Sequence, residues 1–283
     1  MEPIVFAAML ASAALHASWN AWVKSSPASP EALAAVVIAS GVPQGLLLLM
    51  AGFPAPAAWP WVLLTIGLSV SALLLLGSAY REGDFAVAYP LIRGLIPVVL
   101  TLAAVPLFGE RPTVMGSMGV ACVSGGLALI AWESTRRTRT MTMRGLAFAA
   151  LAAGITALSV LTDTKGARIA GDPISYAATI SVLNAVVMAA VYRVRGNNVS
   201  ALLVRHRQVA AGGALIATVS YILFIWSLMQ APVAMVSAVR ETSMLFALGI
   251  AALVLRERIG SWRWAAVTMM FAGLLLIRYS QAL

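Results

Sequence analysis

The chain has 283 residues, of which 61% are hydrophobic and 10% charged, and its formal net charge is +9. A soluble domain averages about 25% charged and 45–50% apolar residues, so the composition and the mean hydropathy of +0.92 exclude an ordinary soluble protein. In so apolar a chain, surplus Lys and Arg mark cytoplasmic loops, so we expect the lipid bilayer as a partner and no nucleic acid.

Continuous apolar runs, separated by charged residues and Pro/Gly clusters, predict a series of transmembrane helices. Each run is close to the length of about 20 residues that a helix needs to cross a bilayer. The runs lack the alternation of apolar and polar residues that is typical of membrane β-strands. The ten predicted spans are residues 3–23, 31–51, 59–80, 84–107, 113–132, 145–165, 173–192, 208–229, 232–255 and 260–279. The predicted fold class is therefore an all-α integral membrane protein.

The distribution of basic residues between alternate loops predicts the orientation in the membrane. Thirteen of them follow the odd-numbered spans: Lys24, Arg81, Arg136, Arg137, Arg139, Arg144, Arg193, Arg195, Arg205, Arg207, Arg256, Arg258 and Arg263. Four lie on the opposite side: Arg111, Lys165, Arg168 and Arg278. Because cytoplasmic loops carry the excess of Lys and Arg, we expect the first set inside and both termini outside the cytoplasm.

Matched charged positions indicate an internal duplication. Arg93 precedes Glu110 by 17 residues, and Arg240 precedes Glu257 by the same 17 residues. Five spans in each half is an odd number, so the two halves would insert with opposite orientation. The predicted organisation is a five-helix repeat over 1–132, a basic cytoplasmic linker over 133–144 and a second five-helix repeat over 145–283. Inverted repeats around a site at the membrane midplane are typical of secondary transporters.

This arrangement resembles the EamA-type drug/metabolite transporter superfamily over nearly the whole chain. The resemblance rests on Gly109-Glu110-Arg111 and Arg256-Glu257-Arg258 after the fourth span of each half, on Pro97, and on Glu241 in the ninth span. Tyr89-Pro90-Leu91-Ile92-Arg93-Gly94 and Arg240-Glu241-Thr242-Ser243 resemble a bacterial subgroup of unassigned substrate.

The resemblance implies export or exchange of a small metabolite by alternating access, without ATP, in a bacterial-type inner membrane. It implies no enzymatic activity and no cofactor. The substrate, the direction of transport and the coupling ion stay open, and so does the oligomeric state, for which a homodimer is one alternative.

Two arginines lie deep within predicted spans and are the main candidates for binding. Arg93 and Arg240 are eight or nine residues into their spans, at a depth of about 12–14 Å in a core about 30 Å thick. The guanidinium fork suits carboxylate or phosphate, so one interpretation is a site for an anionic substrate. The alternative is that the arginines are structural, with Glu241 neutralising one of them, in a transporter of neutral amino acids or drugs.

Polar side chains at helical spacing add further candidates on the first and sixth spans. Ser12, His16 and Asn20 follow one another at steps of four residues, and Thr156, Ser159 and Asp163 follow one another at steps of three and four. Such stripes face the bundle interior, where they line a path or join helices through hydrogen bonds. Glu241, His16 and Asp163 are the candidates for proton coupling, since imidazole exchanges protons near neutral pH.

Two aromatic residues complete the predicted substrate site. Tyr89 lies one turn before Arg93 on the same helical face. Most tryptophans cluster near the ends of spans, as interfacial anchors do, and Trp19 is the exception that we assign to the substrate path.

Several motifs are absent from the sequence. It has no Walker A phosphate-binding loop, no His-Glu-x-x-His pair and no Gly-x-Ser-x-Gly nucleophile, and Cys122 is its single cysteine. We therefore expect no catalytic residues and no metal site. An intramembrane enzyme acting on a lipid-linked substrate is the alternative from another functional class.

Overall fold

The computed structural model describes residues 1–26, 28–82, 85–110, 113–136, 142–254 and 260–280. All regular elements in these ranges are helical. In chain order the α-helices are α1 (Pro3–Lys24), α2 (Ser29–Ala51), α3 (Trp59–Glu82), α4 (Phe85–Phe108), α5 (Val114–Thr135), α6 (Met143–Ala170), α7 (Pro173–Val194), α8 (Val199–Arg205), α9 (Arg207–Gln230), α10 (Val233–Glu241), α11 (Ser243–Val254) and α12 (Ser261–Tyr279). A single 3₁₀ turn, Pro56–Ala58, precedes α3.

Local sequence signals explain where several helices begin and end. Proline at the first turn starts α1, α2 and α7, at a position where its missing N–H costs nothing. The side chains of Thr113, Thr142 and Asp172 accept a hydrogen bond from the first turn of α5, α6 and α7. α6 ends at Gly171, whose φ of 75° is in the left-handed region that terminates helices.

Within the described residues each predicted span coincides with helix, with four differences, of which the interruption of the ninth span is described below. α6 continues to Ala170, five residues past the predicted end. The short helix α8 was not expected, because its seven residues are too few to show a periodic pattern. The predicted linker 133–144 is shortened, since α5 continues to Thr135 and α6 begins at Met143; residues 137–141 lie outside the described ranges.

Seven helices within the described residues are long and apolar enough to cross a membrane: α1, α2, α4, α5, α6, α7 and α9. The count of ten spans in two repeats stays a prediction. Of the motifs that support it, Arg256-Glu257-Arg258 and Arg111 lie outside the described residues.

The ninth predicted span is interrupted at its centre, where we had expected a continuous helix. α10 ends at Glu241 and α11 begins at Ser243. At the junction the Thr242 hydroxyl donates to the Val239 carbonyl over 2.6 Å, competing with the regular helical pattern. α4, by contrast, is one continuous helix in spite of Pro90 and Pro97. The interruption places the end of one short helix and the start of another beside the buried charges.

The helices of the first half of the chain pack extensively on those of the second half. α1 lies against α9, α2 against α7, α3 against α6, α4 against α10, and α5 against α12. Ser12 and Ser220 join α1 to α9 by reciprocal hydrogen bonds of 2.7 and 2.9 Å, each hydroxyl donating to the other residue's carbonyl. The core therefore lies along a seam that both halves line.

α5 and α12 approach each other closely through glycines. A Cβ atom on Gly273 would lie 2.7 Å from the Gly119 carbonyl oxygen, so neither position has room for a side chain. Small residues permit such contact between membrane helices. α5 and α12 therefore form a closely packed pair.

Candidate binding cavity

A cavity of about 350 Å³ lies between helices of the two halves of the chain, with walls from α1, α2, α3, α4, α6, α7, α9 and α10. Six of the predicted site residues line it: His16, Trp19, Arg93, Asp163, Arg240 and Glu241. Tyr89 lines a second cavity of about 320 Å³, which shares His16 and Arg93 with the first. The sequence analysis therefore selected side chains that converge in space.

Arg93 and Glu241 form an ion pair between α4 and α10. The Arg93 Nε lies 3.0 Å from Glu241 Oε2, and Nη1 donates to Oε1 over 3.2 Å. Glu241 is only 2% exposed. The Nη1–Oε1 contact is a hydrogen bond, and the close approach of Nε to Oε2 adds an attraction between opposite charges that offsets part of the cost of burying both.

The remaining Arg93 donors are directed at His16 and Ser243. Nη2 lies 3.1 Å from His16 Nε2 and 3.4 Å from Ser243 Oγ. Because arginine only donates, Nε2 of His16 is the acceptor, so the imidazole is neutral and carries its proton on Nδ1. The Tyr89 ring centroid lies 5.3 Å from Arg93 Cζ, in cation–π range, and the Trp19 ring packs edge-on against His16 at 5.4 Å.

Arg240, next to Glu241 in sequence, has a different environment. Within the described residues its side chain makes no ion pair and no hydrogen bond, and its Nη1 atom is buried. Its Cζ lies 3.7 Å from the centroid of the Phe224 ring, a close cation–π contact. Successive residues on a helix point about 100° apart, so the carboxylate that serves Arg93 does not also serve Arg240. The cavity wall thus carries a guanidinium with unused donors.

Asp163 lines the same cavity from α6. Its Oδ1 accepts a hydrogen bond of 2.9 Å from Thr65, and its Oδ2 accepts one of 3.4 Å from the Tyr221 hydroxyl. These neutral donors hold the carboxyl group between α3 and α9. The cavity therefore contains two guanidinium and two carboxyl groups, of which only Arg93 and Glu241 are directly paired.

The polar stripe predicted on the first span divides between two roles. His16 faces the cavity, whereas Ser12 joins α1 to α9 through Ser220. The Asn20 amide donates to the His16 carbonyl one turn earlier, over 2.7 Å, and lies outside both cavities. On α6, Thr156 borders both cavities, and Ser159 borders the second.

Sequence reasoning missed several polar residues that line the cavity. Gln44 on α2, Asn184 on α7, and Thr218 and Tyr221 on α9 all contribute to its wall. A signal for the two amides was present, since each lies within an otherwise apolar span, where polar side chains face the interior. We had applied that rule only to the first and sixth spans and to the charged residues.

Glu110, predicted to be structural, joins three helices at one end of the bundle. Its Oε1 lies 2.8 Å from Arg168 Nη2, and its Oε2 accepts a hydrogen bond of 2.8 Å from the Val233 backbone N–H. It therefore ties the end of α4 to the end of α6 and caps the start of α10. Glu257, its counterpart in the proposed repeat, lies outside the described residues.

Comparisons with known proteins give a family match over part of the chain and a fold match over nearly all of it. Residues 143–279 match the family model of the EamA-like transporter family. Among solved structures 28 chains match. One, described only as the crystal structure of a protein, has a TM-score of 0.72 and 16% sequence identity, and the match covers 96% of this chain and 94% of that one. At this identity the similarity establishes the fold alone. No curated protein matches the sequence.

Proposed function

We propose that the chain, whose residues 143–279 match the EamA-like transporter family, is a member of the EamA-type drug/metabolite transporter superfamily and a secondary transporter that binds a small anionic metabolite at Arg240. The match to the EamA-like transporter family and the seven apolar helices support a multi-pass membrane protein that transports a small molecule. The anionic character of that substrate and the mechanism of transport are the new elements of the proposal.

The observation that carries the proposal is the guanidinium of Arg240, which lines the cavity and forms no ion pair within the described residues. A buried arginine is costly unless it meets an opposite charge, and no described carboxylate contacts this one. A substrate carboxylate or phosphate supplies the missing charge and accepts several hydrogen bonds from the fork. The volume of about 350 Å³ is at the lower end of sites that hold small molecules.

Alternating access is the mechanism that the packing supports. α1 on α9 and α6 on α3 are equivalent pairs if the second half of the chain repeats the first, and α2 on α7 and α5 on α12 are then pairs of corresponding helices. Two inverted five-helix repeats, 1–132 and 145–283, rock about a central site in this scheme. The broken helix at Thr242 fits it as well, because discontinuous helices form the binding sites of many transporters.

The Arg93–Glu241 pair favours a structural role for Arg93, as the alternative interpretation of the sequence had it. Because Glu241 forms an ion pair with Arg93, the charge of Arg93 is balanced before any substrate binds. A transporter of neutral amino acids or drugs would need the same pair and would not need Arg240. The two substrate classes therefore differ in what they predict for Arg240 alone.

His16, Asp163 and Glu241 remain the proposed groups for proton coupling. His16 is neutral while it accepts from Arg93, and its protonation would remove that acceptor and repel the guanidinium. Export driven by proton entry, exchange against another anion and facilitated diffusion are separate modes that the site admits. We further propose a bacterial-type inner membrane, with both termini outside the cytoplasm.

The test is a counterflow screen of the reconstituted protein in liposomes at two pH values. Carboxylates, phosphorylated metabolites, phosphonates and amino acids are offered as trans substrates. The proposal predicts counterflow with anions, and a pH dependence of the rate if protons are coupled. Counterflow with neutral or cationic compounds only contradicts the anion site, and a complete lack of counterflow supports the intramembrane enzyme instead.

A further inference from the structure

Several uncharged polar groups of the cavity wall have no hydrogen-bond partner among the described residues. Gln44 is only 1% exposed, and its Oε1 atom makes no hydrogen bond. Thr218 has a buried hydroxyl without a partner. The Asn184 amide makes no hydrogen bond within the described part of the chain, and it lines the same cavity. The three side chains come from α2, α9 and α7.

Two other polar side chains of the cavity wall have hydrogen-bond partners within their own helices. The Ser40 hydroxyl, also on the cavity wall, donates to the Val36 carbonyl over 2.8 Å. The Thr156 hydroxyl donates to the Ala152 carbonyl over 2.7 Å. Such local bonds are the usual way for a helix to satisfy a hydroxyl in an apolar setting. The hydrogen-bonding groups of Gln44, Thr218 and Asn184 are therefore available to a molecule bound in the cavity.

We propose that Gln44, Asn184 and Thr218 form a second, uncharged subsite, which binds hydroxyl or amide groups of the same ligand whose anionic group pairs with Arg240. This inference rests on the proposed function and deepens it by naming the substrate class. The class is a hydroxylated or amide-bearing carboxylate or phosphate, as opposed to an unsubstituted aliphatic acid.

The chemistry of the three side chains explains the preference. An amide and a hydroxyl each offer both a donor and an acceptor, as do the hydroxyl and amide groups of a ligand. An aliphatic chain in the same place would cover these groups without bonding to them, and a buried polar group without a partner is penalised. The anionic group of the ligand then provides most of the affinity, and its hydroxyl or amide groups determine the selectivity among anions.

The test compares matched pairs of anions that differ only in hydroxyl groups. Binding of tartrate against succinate, and of glycerol 3-phosphate against propyl phosphate, is measured by calorimetry on the detergent-purified full chain. We expect the hydroxylated member of a pair to bind about 10-fold more tightly. Gln44→Met and Asn184→Leu should each reduce this preference by about three- to ten-fold, the usual effect of one neutral hydrogen bond.

Controls separate the subsite from the anion site and from the fold. Gln208→Met, at an exposed position at the start of α9, should leave the preference unchanged. Arg240→Gln should weaken all four anions together while preserving the ratio within each pair. Size-exclusion chromatography shows whether each variant is folded. Because Gln44→Met and Asn184→Leu test the same subsite, one of them suffices if the other fails to fold.

The outcomes bear separately on the two proposals. Equal affinity within both pairs, or a preference that survives in both Gln44→Met and Asn184→Leu, overturns the subsite and leaves the anion site standing. Binding that Arg240→Gln does not change contradicts the anion site. An absence of binding for all four anions contradicts the proposed function and, with it, the inference that depends on it.

Discussion

The guanidinium of Arg93 on α4 forms an ion pair with the carboxylate of Glu241 on α10, with Nε–Oε2 and Nη1–Oε1 distances of 3.0 and 3.2 Å. The neighbouring Arg240 forms no ion pair within the described residues. Two arginines that occupy matched positions in the sequence therefore have different roles. One is balanced within the protein and the other faces the cavity with donors unused. We therefore expect replacement of Arg93 to change mainly the stability of the protein, and replacement of Arg240 to change mainly its affinity for anions.

Removal of the Arg93 charge should destabilise the protein. Arg93→Gln leaves Glu241 buried without its partner, and breaking such a pair costs about 3–5 kcal/mol. The double variant Arg93→Gln/Glu241→Gln removes both charges and should recover most of the loss. Thermal unfolding in detergent measures the difference. If the single variant is as stable as the wild type, the pair is not the structural link between α4 and α10 that we infer.

Loss of the Glu110 carboxylate should weaken one end of the bundle. Glu110→Gln removes a charged partner of Arg168 and weakens the cap on the Val233 N–H, for an expected loss of about 1–3 kcal/mol in unfolding free energy. Glu31→Gln is the matched control, because Glu31 is more exposed than Glu110 and pairs with the exposed Arg205, beside a longer contact of 3.4 Å to the His206 ring. Exposed pairs contribute at most about 1 kcal/mol. Equal melting temperatures for the two variants would contradict the inference that Glu110 stabilises the contact between α4, α6 and α10.

The close approach of α5 and α12 makes Gly273 sensitive to any added side chain. Gly273→Ala places a Cβ atom 2.7 Å from the Gly119 carbonyl oxygen and 2.9 Å from Val123 Cγ2, so the helices must move apart. We expect a loss of about 1–3 kcal/mol, typical of overpacking. Gly154→Ala, with nothing within 4 Å of its new Cβ, should be neutral or stabilising by up to about 1 kcal/mol. Chemical denaturation of both variants distinguishes packing from helix propensity.

The positions of the helices followed from the sequence because hydrophobic runs of about 20 residues leave little freedom in choosing a span. Charges and Pro/Gly clusters then set the ends. The interruption at Thr242 was not predictable in this way, because its neighbours are ordinary helix-forming residues. At the junction the Thr242 hydroxyl donates to the Val239 carbonyl, a bond that the sequence does not signal.

The sequence identified the charged residues of the cavity and not their pairing. Helical geometry indicated that Arg240 and Glu241 do not face each other, and it left open which arginine Glu241 would contact. That choice depends on the packing of α4 against α10, which no local pattern encodes. Gln44 and Asn184 could have been predicted in the same way as His16. Each is an isolated polar residue in an apolar span, and such residues face the interior of the bundle.

The account depends most on Arg240, and its replacement by glutamine is the most direct measurement. Arg240→Gln removes a buried charge that forms no ion pair within the described residues, so stability should be unchanged or increased. Anion affinity should fall about 10- to 100-fold, as expected for lost hydrogen bonds to a charged group. Arg207→Gln, at an exposed position, is the matched control. A folded Arg240→Gln protein that transports anions in liposomes at the wild-type rate and affinity would contradict the central claim.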